Sequence, residues 1–192
     1  MTSTVFQLVE DNLTVLRQGH DLVRVLDDAA YSQNAPSLAL SGVGPHLRHV
    51  VDFYERFLTA LEAAAPDDGP YAVRIDYDAR DRDPRVETDP NHALAVLERT
   101  IERLRAVPEH PIARVEMTLQ VRSDGSPWID STVARELQSL VSHTVHHYAL
   151  IAIAVRSQGG APDPEFGVAP STLRHWSEQK ERERASDDAC AL

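Results

Sequence analysis

Two short segments hold five of the nine histidines of this 192-residue chain: Pro45-His-Leu-Arg-His-Val50 and Ser142-His-Thr-Val-His-His-Tyr148. His143 and His147 are four residues apart, which on a helix stacks them one turn above each other and lets two imidazoles converge on one ion. On a wheel of about 100° per residue with Val133 at the origin, His143 falls at about 280° and His147 at about 320°, the edge of the apolar sector. His146 falls at about 220°, pointing away from that sector. The same spacing also occurs in helices that merely hydrogen-bond two histidines in a polar patch. The segment at 46–49 supplies a third imidazole from a separate part of the chain. Three neutral nitrogens leave one or more coordination positions open, the arrangement of a catalytic metal. The wheel does not choose between His46 and His49, because the apolar face of their helix lies somewhat nearer His46.

These residues need helices to present them, and apolar periodicity predicts four. Val5, Leu8, Val9, Leu13, Leu16, Val23 and Leu26 recur in steps of three or four, marking a first helix over 3–28 that ends near 31–36. A second starts at 41–45, runs through Leu47, Val50, Tyr54, Phe57 and Leu61, and closes at 66–70. Residues 66–90 mix aspartates and arginines with little periodicity and read as a long connection. Asp89-Pro90 caps and opens a third helix through Leu104, which Pro108 and Pro111 end. Alternation over 114–122 followed by a turn at 123–126 predicts a short strand or hairpin, with Trp128 and Ile129 on its returning arm. Asp130, Ser131 and Thr132 offer caps for a last long helix to about 157, stopped by Gly159-Gly160. The expected fold class is therefore mainly α: a four-helix bundle over 1–160 whose 25-residue connection crosses over between parallel neighbours. Residues 161–192 form an extension holding a short surface helix and then fraying.

Composition narrows the function classes. With 19 Lys and Arg against 30 Asp and Glu the net charge is −11, which disfavours nucleic acid or an anionic membrane as partner. The N-terminus lacks the basic start and unbroken apolar stretch of a signal peptide, and no apolar run approaches the ~18 residues of a membrane span. Cys190 is the single cysteine, so an internal disulfide is impossible and a cytoplasmic setting is the natural reading. The chain shows no nucleophile elbow, no Gly-rich phosphate loop and no catalytic cysteine motif, which leaves a metal as the source of any catalysis.

Gly44-Pro-His-Leu-Arg-His-Val-Val-Asp-Phe-Tyr-Glu55, together with Arg135-Glu-Leu-Gln-Ser-Leu-Val-Ser-His-Thr-Val-His-His-Tyr-Ala-Leu-Ile151, resembles the DinB/YfiT-like family of metal-binding helix bundles. The resemblance covers nearly all of residues 1–160. It implies one histidine on the second helix and His-x-x-x-His on the last, around a divalent ion. The related N-terminal domains of ergothioneine-type sulfoxide synthases carry a similar His-Leu-Ala-His segment whose second histidine binds metal, which selects His49 with His143 and His147. Imidazole suits Zn, Ni and Fe alike. Members similar to this chain act on low-molecular-weight thiols as transferases, isomerases or hydrolases. The chain has no counterpart of the synthases' additional catalytic domain, so oxidative sulfur transfer is not expected.

Spacing and clustering around these histidines give other residues candidate roles. Asp52, three residues after His49, is placed to orient an imidazole, although a solvated surface charge explains it as well. His146 and Tyr148 are candidates for proton transfer or for lining the pocket. Tyr77, Arg80 and Arg82 would bind a substrate or thiol carboxylate if their loop folds over the metal; otherwise they belong to a self-neutralising surface loop. The implied partner is a small molecule, with a homodimer expected of bundles that have apolar outer faces. Two functions remain open: a metal-dependent enzyme moving a thiol or water onto a small electrophile, or a non-catalytic metal-binding or structural bundle acting through dimerisation or partner binding.

Overall fold

The computed structural model describes residues 4–33, 41–64, 73–110 and 118–190. Its elements are α1 (Thr4–Val25), α2 (Asp28–Ser32), α3 (Val43–Ala63), β1 (Arg74–Asp76), α4 (Arg85–Thr88), α5 (Pro90–Ala106), β2 (Thr118–Arg122), β3 (Ile129–Thr132), α6 (Val133–Ser157) and α7 (Pro170–Cys190). The expectations placed on 34–36, 66–72, Pro111 and 114–117 lie outside the described residues.

Helices α1, α3, α5 and α6 form the expected bundle, each long helix packing on two of the others. Side-chain register sets their directions. Glu55 reaches Thr100 and Glu62 reaches Arg103, so α3 and α5 run parallel. His46 meets His147 and His49 meets His143, so α3 and α6 run antiparallel. Parallel neighbours α3 and α5 require the long crossover between them. Caps fix the helix starts where sequence places them: Asp89 accepts from the backbone N–H groups of Asn91 and His92, and Thr132 accepts from that of Arg135.

One expected helix breaks in two. The Asp27 side chain accepts from the Ala30 N–H and opens α2, so the run expected to reach residue 28 ends instead at Val25. The crossover also carries more order than expected. Val73, Ile75 and Tyr77 are buried at alternate positions, and β1 pairs parallel with β2, which pairs antiparallel with β3. This three-stranded sheet, in the order β1-β2-β3, closes the bundle beside the first turns of α6.

Within the largely apolar core, one hydrogen-bonded network joins three of the helices. Tyr54 donates to Asn12 Oδ1 at 2.7 Å and lies 3.1 Å from Thr144 Oγ1, while Asn12 donates to the Leu137 carbonyl at 2.9 Å. It ties α1, α3 and α6 together at a fixed height, just below the histidines. Beyond residue 160, Phe166 stacks on Tyr148 with centroids 4.7 Å apart, and α7 lies along α1 with Arg174 paired to Asp11. No helix among the described residues is long and apolar enough to cross a membrane.

Candidate metal centre

The first turns of α3 are held against α4 backbone to backbone. A Cβ on Gly44 would lie 2.0 Å from the Glu87 carbonyl oxygen, so only glycine allows this approach. With Leu47, Val50 and Val51 buried, the adjoining edge of α3 presents His46, His49 and Phe53 to α6. On α6, the buried residues Leu140, Thr144 and Tyr148 fix the helix rotation and leave His143 and His147 on the facing edge.

Three imidazoles converge there. The His49 and His143 Nε2 atoms are 3.1 Å apart, and the ring of His147 lies 4.6 Å from each of theirs by centroid. One nitrogen from each of the three lies within 4.8 Å of the others, and no fourth His, Cys, Asp or Glu among the described residues joins the group. Zinc–imidazole bonds of about 2.0–2.1 Å place two nitrogens of a tetrahedral site roughly 3.3 Å apart, close to the His49–His143 separation. The donor set therefore fits a divalent metal ion.

The outer ring nitrogens differ in their surroundings. His147 Nδ1 faces His46 Nδ1 at 3.1 Å, leaving its Nε2 for the cluster. His49 Nδ1 lies 3.4 Å from Arg80 Nη1. His143 Nδ1 is buried without a hydrogen-bond partner among the described residues. Burial, followed by the Arg80 and Arg48 charges, pushes His49 down to about 4. Burial and the charge of His49 push His143 down to about 4, and burial with the charges of His143 and His49 pushes His147 down to about 3. Near neutral pH the three rings are uncharged, the form that binds metal.

Phe53 organises the flank of the cluster. Its ring touches His143 (centroids 4.2 Å apart) and His49 (5.0 Å), stacks on Tyr77 (4.9 Å) and carries the Arg80 guanidinium 4.8 Å above it. Beyond Phe53 a cavity of about 280 Å³ runs from His143 to the start of α6, floored by Tyr77, Ser131 and Glu136. The Glu136 carboxylate accepts from the Tyr77 hydroxyl at 2.8 Å and the Ser131 hydroxyl at 2.5 Å.

Of the residues singled out by sequence, Tyr77 lines this cavity and Arg80 sits against His49. Arg82 is exposed and donates to the Arg80 and Asp78 carbonyls, bracing the loop that carries Arg80. His146 is exposed, edge-on to His147 at 5.1 Å. Asp52 does not reach an imidazole: its carboxylate takes Arg48 Nη1 at 2.9 Å, and Arg48 also pairs with Glu87 on α4. Nor does Tyr148 join the cluster. One residue beyond His147, it is rotated into the core, with its ring on Phe166 and its hydroxyl against Gly19. Phe53 and Glu136 carry more of the site than their sequence positions suggest. Phe53 is readable as the residue four after His49, but Glu136 faces a cavity only once the hairpin is in place.

Over 108 residues the chain is 29% identical to FK506-binding protein 5 of Rhizopus delemar. That match takes in 55% of this chain and 28% of the fungal protein, so the chain spans little more than a quarter of that relative's length. A family model described as the DinB family matches residues 1–182, and the chain belongs to the DinB family.

Proposed function

We propose that the protein is a metal-dependent enzyme that adds a low-molecular-weight thiol, or water, to a small electrophilic substrate at the His49/His143/His147 centre. The observation that carries this reading is the convergence of three neutral imidazoles with no fourth protein ligand among the described residues, next to a cavity that shares His143 as a wall. A closed structural site would have a fourth ligand and no adjoining space.

A zinc, nickel or iron ion held there supplies Lewis acidity and lowers the pKa of a water or thiol that reaches it. The protein's own groups do the rest. Arg80, fixed over Phe53, places a positive charge beside His49 and favours an anionic nucleophile or a substrate carboxylate. Phe53 and Leu140 keep that side of the centre apolar and limit competing water. His146, exposed and edge-on to His147, is the side chain proposed to relay the nucleophile's proton between the centre and solvent.

The test uses the full chain loaded in turn with zinc, nickel or iron, with glutathione as thiol and monochlorobimane as electrophile. The sulfur–carbon bond forms, chloride leaves with the carbon–chlorine electron pair, and the thiol proton passes to solvent. Loaded wild type should exceed both the metal-free protein and His147→Ala by at least about tenfold in rate. Equal rates in all three, together with equal hydrolysis of ester substrates, would sink the enzymatic reading.

A further inference from the structure

The far end of the cavity is built to hold charge. Glu136 is only 6% exposed, yet its two partners are neutral hydroxyls, one to each oxygen. A carboxylate accepts at about four lone-pair positions, so roughly half its capacity faces the cavity unused. Burying an anion without a cation is costly, and Tyr77 cannot relieve it by changing charge. Burial and the neighbouring Glu136 push the Tyr77 phenol well above its ordinary range, which keeps it a neutral donor.

The cavity's two arginines differ. Arg122 is committed to Asp76 at 2.5 Å and to the face of Trp128 at 4.7 Å. Arg135 stands exposed at the rim with no carboxylate partner among the described residues, although it adjoins Glu136 in sequence. Adjacent helix residues diverge by about 100°, so the two charges flank the cavity without neutralising each other. One wall thus offers a buried anion with spare acceptor capacity, and the rim offers an uncommitted planar cation.

We infer that this cavity binds a small zwitterion of the α-amino-acid class, its ammonium received by Glu136 and its carboxylate by Arg135, with the third substituent directed along Leu140 toward His143. Glu136 and Arg135 are then specificity-determining residues. The inference names the substrate class of the proposed enzyme and rests on that reading only for what the third substituent meets.

The test needs no turnover. S-methyl-L-cysteine, 2-(methylthio)ethylamine and 3-(methylthio)propionate share one thioether arm and differ in whether carboxylate or ammonium is missing. Each is titrated calorimetrically into the 192-residue chain, both zinc-loaded and chelator-treated. A charge-assisted contact at each end predicts that S-methyl-L-cysteine binds at least about tenfold more tightly than either truncated analogue. Glu136→Gln should erase the advantage over the propionate, and Arg135→Met the advantage over the amine. Equal affinities for the three probes in wild type overturn the inference. So does discrimination that survives both substitutions, including a Glu136→Gln protein that melts earlier but discriminates normally, which would assign Glu136 to bracing the hairpin. Because Arg135 is exposed, its variant keeps the test informative even if Glu136→Gln folds poorly. Discrimination without either glutathione transfer or ester hydrolysis would refute the enzymatic reading alone, and either activity without discrimination would refute only this one.

Discussion

The Nδ1 atoms of His46 and His147 lie 3.1 Å apart across the α3–α6 interface. With His147 presenting its other nitrogen to the cluster, one Nδ1 carries the proton and the other accepts it, which fixes the orientation and tautomer of the ligand ring. The two histidines of α3 therefore divide the work: His49 completes the triad and His46 orients it.

From this division, His49→Ala should lose stoichiometric metal, whereas His46→Ala should retain it with affinity reduced about 10–100-fold. Competition with a chromophoric chelator measures both. Loss as complete in His46→Ala as in His49→Ala would make His46 a ligand, and unchanged affinity would leave it without an orienting role.

Acid should act first on the histidine cluster. His49, His143 and His147 have an ordinary value of 6.5 and are held near 4, 4 and 3 in the fold. Between those limits the unfolded chain binds more protons than the folded one, so stability rises with pH. The contribution is fully present above about pH 6.5 and is lost as pH falls toward 4. The melting temperature of chelator-treated protein should drop from pH 7 to pH 5, less steeply in His147→Gln. A flat profile over that range would contradict the buried, neutral assignment.

How much of this was legible in the sequence depends on which interactions are local. The 3.6-residue period alone brings His143 and His147 onto one edge of α6, and caps at Asp89 and Thr132 mark helix starts through contacts within three residues. The choice between His46 and His49 was not local, since both reach α6 and their partners, His147 and His143, are about a hundred residues away. Asp52 sits at the right offset from His49, but Arg48 lies at the better i,i+4 distance and takes its carboxylate. Strand β1 is only three residues long among charges, and its register comes from β2, so alternation at Val73, Ile75 and Tyr77 is a weak signal by itself. The cavity at Glu136 requires the assembled hairpin and has no local signature.

The Tyr54 hydroxyl links Asn12 on α1 with Thr144 on α6 inside the core. Tyr54→Phe strands the Asn12 carbonyl oxygen without a donor, and a buried unsatisfied acceptor costs about 1–3 kcal/mol. Urea denaturation should show a loss in that range with an unchanged slope, together with weaker metal binding, because the network sets the height of α6 against α3. A Tyr54→Phe protein as stable as wild type would mean the network is not maintained in solution.

Tyr148 provides the sharpest test of where the site ends. Its hydroxyl is fully buried with no hydrogen-bond partner among the described residues, and its ring is clamped between Phe166 and the glycine of α1. Tyr148→Phe should therefore leave stability equal or raised by about 1 kcal/mol, since it removes an uncompensated polar group. Metal affinity and any activity should not change. Gly19→Ala behaves oppositely: the added Cβ would lie 2.0 Å from the Tyr148 hydroxyl oxygen and 2.8 Å from its Cζ. A helix gains about 1 kcal/mol from replacing glycine by alanine, but overpacking against a buried aromatic costs about 1–3 kcal/mol and should win. In the Tyr148→Phe background the nearest contact is removed and the next remains, so Gly19→Ala should cost less there than in wild type. Equal costs in the two backgrounds would show that the hydroxyl does not press on α1, and a fall in metal binding or turnover in Tyr148→Phe would return Tyr148 to the site.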